Sequence, residues 1–443
     1  MKTLSGKGSI TPAIITEVAD RFGTPVYLYE ADLISEKCDN VLSMPNKYGL
    51  RIRYAMKANS SRAILQYITS KGLHLDLSSL NEARRAHLAG ISYNKMMLTT
   101  QEVPIEKNRS DLEHMIQKGM KYNVCSLRQL ELIADFASEN NILLSMRIHP
   151  GEGSGESSTR NTGDKYSCFG VHLTDIDNAL SYANSKRLIF DQVHVHIGSG
   201  GDPEKWRENI DRELGFVEKY FPNAKTVNFG GGLKEARMPE ETPADIHDLG
   251  LYAKKRIEEF YNRTGRKLLM EIEPGTYIMA ASGNLITEVI DKKQTGSDGF
   301  EFLVLSGGME VNSRPLNYGS KHPFYLVSGD GNLLSSELDL KHLDKENDQK
   351  IPVGRCCESG DSQSLDEHSQ IIPRVMANPD FGDYFVIGGC GAYCSSMTPF
   401  NYNSHVQAPE VLLINSELIC IRDRQTLEQM TANEQPLPHR FTY

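Results

Sequence analysis

The 443 residues predict an α/β chain: an N-terminal (β/α)8 barrel followed by a mostly β, barrel-like domain. Two observations carry that expectation. Eight short apolar segments lie between residues 52 and 273, and stretches of helical character separate most of them. Beyond about residue 283 helical periodicity becomes scarce, and strand-like runs alternate with Gly, Asn, Asp and Pro clusters. The expected boundaries are 30–283 for the barrel, with 1–29 plus 284–443 forming the β domain. A hydrophobic content of 39% supplies enough apolar surface for two cores of that size.

The first barrel segment, "IRYAMK" (52–57), alternates at period two. Leu50, Ile52, Tyr54 and Met56 fall on one side, and Arg51, Arg53, Ala55 and Lys57 on the other, so the strand is expected to end in a lysine. After "HLDLSS" (74–79), "SSLNEARRAHLAG" offers Ser79 as N-cap, Glu82 three residues on and Gly90 as a stop. "KMMLTT" (95–100) and "YNVCS" (122–126) follow, and Ser126 with Gln129 repeats the capping pattern. "LLSMRIH" (143–149), "QVHVHI" (192–197), "TVNFGG" (226–231) and "LLMEIE" (268–273) complete the eight. In the second domain "EFLVLSGGME", "DYFVIGGCGAYC" and "EVLLINSELICI" read as strands, and the polar "ELDLKHLDKENDQK" (337–350) as a solvated loop.

A formal net charge of −10 argues against a nucleic-acid or membrane-surface partner. No apolar run approaches the roughly 18 residues needed to span a bilayer, and "MKTLSGKGSI" lacks the apolar core of a signal peptide. The eight cysteines include no CxxC pair and no zinc-type spacing, so free thiols in a reducing cytoplasm and no metal are expected.

Active sites of such barrels lie at the C-terminal ends of the strands, with phosphate often bound after the seventh and eighth. By that rule Lys57, the stretch from His196 to Ser199, the run Gly230-Gly231-Gly232, and Glu273 with Gly275 all meet at one mouth. Glycines let backbone N–H groups approach a phosphate. A lysine, a phosphate cradle and a carboxylate for a ring nitrogen suit pyridoxal 5'-phosphate, an electron sink for carbanions. Each feature has a plainer reading: a solvated lysine, a turn, a histidine satisfied inside the barrel, a carboxylate paired with Arg147. Their barrel order favours the shared site.

"YAMKAN", "RIHPG", "TGDKYSCFG", "HVHIGSG", "NFGGG", "EPG", "NSRPLNY", "CESGD" and "GAYCSSM" occur in an order and spacing that resemble the fold-type III pyridoxal-phosphate decarboxylases over nearly the whole chain. Within that family the resemblance is closest to the diaminopimelate decarboxylases. It implies that Lys57 binds the cofactor covalently, that His196 stacks on its ring, and that Glu273 pairs with the ring nitrogen. It further implies that Ser199, Gly230, Gly231, Gly232 and Gly275 hold the phosphate, and that Tyr393 contacts the cofactor. Arg314 and Tyr318 would lie near the substrate's far carboxylate and Glu358 near its distal amine, with Cys357 as proton donor. The last two are implied to reach the active site of a partner subunit, which makes a homodimer with shared sites. Asp76 aligns with an acidic residue near the cofactor.

The implied reaction converts meso-diaminopimelate to L-lysine and CO2, a step of lysine biosynthesis. One departure bears on the substrate: the family's Glu-Pro-Gly-Arg reads Glu-Pro-Gly-Thr here, with Thr276 in place of an arginine that helps bind the distal carboxylate. Alternatives therefore stay open. One is a decarboxylase of D-lysine, D-ornithine or an intermediate of siderophore or other specialised synthesis. Others are a racemase and a cofactor-binding relative without turnover.

Overall fold

The computed structural model describes residues 3–4, 8–154, 161–339, 343 and 348–438. The chain divides into two compact units: Asp32–Ala236 with Glu240–Ala281, and Met1–Ala31 with Arg237–Pro239 and Ser282–Tyr443.

The first unit is a closed barrel of eight parallel strands: β1 (Leu50–Ala55), β2 (His74–Leu77), β3 (Met96–Thr99), β4 (Lys121–Val124), β5 (Leu143–His149), β6 (Ile189–His194), β7 (Thr226–Asn228) and β8 (Leu269–Ile272). Each strand pairs with the next, and β8 returns to β1 through Met270↔Leu50 and Ile272↔Ile52. The interior is charged as well as apolar. Arg53 grips the fully buried Glu271 with two hydrogen bonds, Nε to Oε2 at 2.8 Å and Nη2 to Oε1 at 3.0 Å, and Arg51 and Gln192 join the same carboxylate. Burial pushes the Glu271 carboxyl up, but the two guanidinium groups outweigh it and hold it below the ordinary carboxylate range. The polar row of β1 thus faces an interior acid.

Strand ends differ from the sequence expectation in two places that matter. β1 stops at Ala55, and Lys57 stands in a 3-10 turn, Met56–Ala58. The Tyr54 hydroxyl donates to the Asn59 carbonyl at 3.0 Å, which curls the chain over the strand end and breaks the alternation. Likewise β6 stops at His194 rather than Ile197, although the Val195 N–H still donates to the Asn228 carbonyl at 3.1 Å.

The expected helix starts are present in a modified form. Ser79 Oγ accepts from the Glu82 N–H at 3.1 Å and Ser126 Oγ from the Gln129 N–H at 3.1 Å. The return bonds reach one residue further upstream than a capping box requires: Glu82 accepts from the Ser78 N–H and Gln129 from the Cys125 N–H. Gly90, at φ +86°, follows the end of the helix Leu80–Leu88.

In the second unit, strand Val26–Glu30 lies between Gly283–Gln294, antiparallel, and Glu410–Ile414, parallel. These belong to a ten-stranded sheet whose core packs Ile15, Val18, Leu28, Ile286, Val327 and Val386. Of the proposed solvated loop, 340–342 and 344–347 lie outside the described residues. Two charged side chains at its ends depart from that reading, while Leu338 and Gln349 are exposed. The Glu337 side chain is 7% exposed and takes two hydrogen bonds from Arg374, and Lys350 is buried in strand Gln349–Val353 beside Glu301. All eight cysteines are free thiols, and among the described residues no helix is long and apolar enough to cross a membrane.

Candidate active site

The C-terminal ends of β6, β7 and β8 converge on Glu273, whose side chain is 6% exposed. Asn228, the last residue of β7, donates from Nδ2 to Glu273 Oε1 at 2.7 Å, and its Oδ1 accepts from the Gly230 N–H at 2.9 Å. His194, the last residue of β6, places Nε2 at 3.2 Å from Glu273 Oε2. A chain of bonds fixes that ring. Ser145 Oγ donates to Asn123 Oδ1 at 2.8 Å, so the Asn123 amide turns its Nδ2 to His194 Nδ1 at 2.7 Å and the ring proton is left on Nε2, toward the acid. Burial alone would raise the Glu273 carboxyl, yet His194, His196 and Asn228 together bring it down to about 2. Burial first, then Arg147 and Lys57, push the His196 imidazole well below its ordinary range.

Asp76, on β2, is the counterpart. Burial first, and the neighbouring Glu273 second, push its carboxyl well up, against the pull of Lys57 and Thr99. Two buried carboxyls at one mouth are therefore driven apart, Asp76 upward and Glu273 downward.

The glycine run is shaped by backbone contact. A Cβ would lie 2.8 Å from Val195 O at Gly230, 2.6 Å from Glu273 O at Gly231 and 2.6 Å from Gly198 O at Gly232. Gly230, at φ +68°, makes the turn and spends its N–H on Asn228, while the Gly231 N–H meets His196 Nδ1 at 3.1 Å. Gly275 caps the short helix Thr276–Met279. Lys57 and Ser199 are exposed, and His196 is half-buried.

In the second unit Arg314 is buried at the start of the helix Arg314–Tyr318. Its guanidinium lies 5.7 Å from the Tyr318 ring centroid and 5.9 Å from that of Tyr393, and Nη2 donates to Ser320 Oγ at 3.1 Å. Its Nε has no hydrogen-bond partner among the described residues. Tyr393 adopts φ +59°, the left-handed region that a tyrosine rarely occupies. Cys357 and Glu358 are exposed on one loop: the Cys357 N–H donates to Asn403 Oδ1 at 2.8 Å and the Tyr402 hydroxyl to Glu358 Oε2 at 3.2 Å.

The structure adds Asn228, His194 and Asn123 to the residues singled out from the sequence. The signal for His194 was its period-two spacing from His196 in "HVHIG"; nothing local marked the two asparagines.

A closed parallel barrel with a lysine, a glycine turn and a buried ionised carboxylate at its strand ends is the frame of a cofactor-binding barrel enzyme. Residues 32–280 match the family model described as the pyridoxal-dependent decarboxylase, pyridoxal binding domain. The chain belongs to the pyridoxal-dependent decarboxylases. It is 31% identical to the diaminopimelate decarboxylase of Escherichia coli K12 over 96% of this chain and 97% of that one. It is 29% identical to that of Streptomyces coelicolor over 96% and 93%. A crystal structure of a diaminopimelate decarboxylase superposes with a TM-score of 0.85 at 29% identity, covering 98% of this chain and 99% of the other. The Helicobacter pylori diaminopimelate decarboxylase complexed with L-lysine gives 0.79 at 25% identity over 94% and 98%.

The residues present fit pyridoxal 5'-phosphate. The buried Arg147 has donors at Nε and Nη2 without hydrogen-bond partners among the described residues, as suits an anionic group, and Glu273 is held ionised as suits a protonated ring nitrogen.

Proposed function

We propose that this chain decarboxylates meso-diaminopimelate to L-lysine and CO2, as a homodimeric enzyme of lysine synthesis. The observation that carries the reading is the depressed Glu273 carboxyl, a carboxylate kept charged in a buried site by Asn228 and His194. Bound pyridoxal 5'-phosphate supplies the electron sink for the carbanion left by departing CO2. Glu273 would keep the ring nitrogen protonated, and Lys57 would hold the cofactor through its amine. His196, its imidazole pushed down by burial, Arg147 and Lys57, would stack on the ring without adding a like charge beside it. Ser199, Gly230, Gly231, Gly232 and Gly275 would hold the phosphate, Gly230 and Gly231 by shaping the turn, since their N–H groups bond Asn228 and His196. Tyr393 contacts the cofactor, and Arg314 with Tyr318 takes the far carboxylate. Cys357 donates the proton that replaces CO2, and Glu358 faces the distal amine. The exposure of the last two supports their insertion into a partner subunit's site. Eight free thiols suit a cytoplasmic setting.

A second reading rests on Thr276, which offers a hydroxyl where the diaminopimelate decarboxylases usually carry a guanidinium. On it the substrate lacks a second carboxylate, as D-lysine or D-ornithine does. Release of CO2 by cofactor-loaded protein, offered meso-diaminopimelate, D-lysine, D-ornithine and L-amino acids in parallel, separates the two. The first reading expects meso-diaminopimelate to give the highest kcat/KM; preferred turnover of a monocarboxylate replaces it with the second.

A further inference from the structure

The loop that carries Cys357 and Glu358 is flanked by a donor set that the decarboxylase reading does not use. One carboxylate oxygen of Glu310, the Cys356 sulfur and a ring nitrogen of His405 all lie within 4.8 Å of one another. Glu310 and Cys356 are buried and His405 is half-buried. Cys356 Sγ stands 3.4 Å from Glu310 Oε2, close to the spacing of two ligands on one tetrahedral ion. The three residues are far apart in sequence, so no spacing rule could have found them.

From this geometry we infer that Glu310, Cys356 and His405 form a binding site for a zinc-class divalent cation, with a fourth position open to water. Sulfur and imidazole donors exclude the all-oxygen preference of calcium and magnesium and suit zinc or cobalt. The ligands are already oriented by their neighbours, as metal ligands need to be. The Gly308 N–H donates to Glu310 Oε2 at 2.8 Å and Arg355 Nε to Oε1 at 3.1 Å, while the Cys356 N–H donates to Asp361 Oδ2 at 2.8 Å. Glu310 and Asp361 are both buried beside Cys356, and Arg355 pairs with the former. Cys356 is a free thiol. Binding of the ion forms a metal–sulfur bond and releases that thiol proton to solvent.

The consequence is mechanical. Cys356 adjoins Cys357, and His405 lies two residues beyond Asn403, the acceptor of the Cys357 N–H. An ion on these ligands ties 354–361 to 401–405, a stretch in which Asn401, Asn403 and Ser404 all hold positive φ. The assignment stands apart from the decarboxylase reading and is tested without activity.

Holoenzyme is stripped with a chelator, reloaded with zinc, passed through a desalting column and assayed for bound metal. The expected result is one zinc retained per chain, with a sulfur neighbour at about 2.3 Å in zinc-edge absorption spectra. Cys356→Ser and His405→Asn should each weaken retention at least about tenfold, and Cys357→Ser should leave it unchanged. His405→Asn serves if Cys356→Ser does not fold. Zinc should also slow amide exchange in both 354–361 and 401–405. The plainer reading, a thiol donating to a carboxylate, expects no retained zinc. That result, or zinc lost with Cys357→Ser and kept in the other two variants, overturns the site.

Discussion

The barrel mouth and the exposed loop of the second unit differ in how completely each is finished within one chain. At the mouth Glu273 has a partner on each oxygen: Asn228 is bonded in turn by the Gly230 N–H, and His194 by Asn123, which Ser145 holds. Cys357 and Glu358 stand exposed, held by neighbours of their own surface: Asn403 at the Cys357 N–H, and Tyr402, Ser359 and Gly360 at the Glu358 carboxylate. Electrostatic stabilisation works best when its groups are fixed before the reaction begins, and the mouth meets that condition by itself. The loop does not, which is how residues completed by a second copy should look in one chain.

Subunit mixing tests that contrast most severely. Lys57→Ala and Cys357→Ala should each lower kcat by roughly 10³-fold or more if, as proposed, each removes a group that acts directly on cofactor or substrate. If the loop serves a partner's mouth, the two variants mixed and allowed to exchange subunits regain activity. Random pairing of two subunits makes half the dimers mixed, each with one intact site, so about a quarter of wild-type activity returns. No recovery, with exchange verified, would place both groups in one chain's site and break the comparison. Glu273→Gln comes next, with an expected loss on the order of 10²–10³ in kcat. Because Asn228 and His194 both face the carboxylate, the amide also leaves one of them without an acceptor. Asn228→Asp, which adds a like charge beside Glu273, should give a smaller loss of the same kind and weaken cofactor retention.

The sequence made the barrel legible because its strands are short apolar runs ending in marked residues, with serine caps on the helices that follow. The same marks located Lys57, Gly230 to Gly232 and Glu273, since each sits at a strand end in chain order. What period-two reading cannot show is where a strand stops. Tyr54 bonding to Asn59 ends β1 two residues early, a contact that exists only once the turn has formed. Nor could it show that Asn123, from β4, orients His194, from β6, because that pairing needs the barrel closed. Glu337 read as polar and hence solvated, but Arg374, 37 residues away, holds it in the interior. Long-range polar satisfaction is the part of a fold that local pattern leaves out.

Asp76 offers the finest test of how far the mouth is prearranged. Its carboxyl is raised by burial and then by Glu273, opposed by Lys57 and Thr99, with Glu82 adding a further acidic neighbour. The folded protein therefore keeps a proton that the unfolded chain releases above about pH 3.9. A raised carboxyl contributes stability that is fully present below the unfolded pKa and is lost as pH rises through the folded one. Asp76→Asn keeps the shape and cannot ionise, so it should escape that loss. In cofactor-stripped protein the two melting temperatures should separate as pH rises from about 4, the asparagine variant ending on the order of 2–4 °C higher. With cofactor bound, a protonated ring nitrogen held by Glu273 as proposed would offset part of the charge that Asp76 feels, and the gap should narrow. Parallel melting curves in the stripped protein would mean that Asp76 shares its proton with solvent, and that the split between the two carboxyls is made by the cofactor instead of the fold.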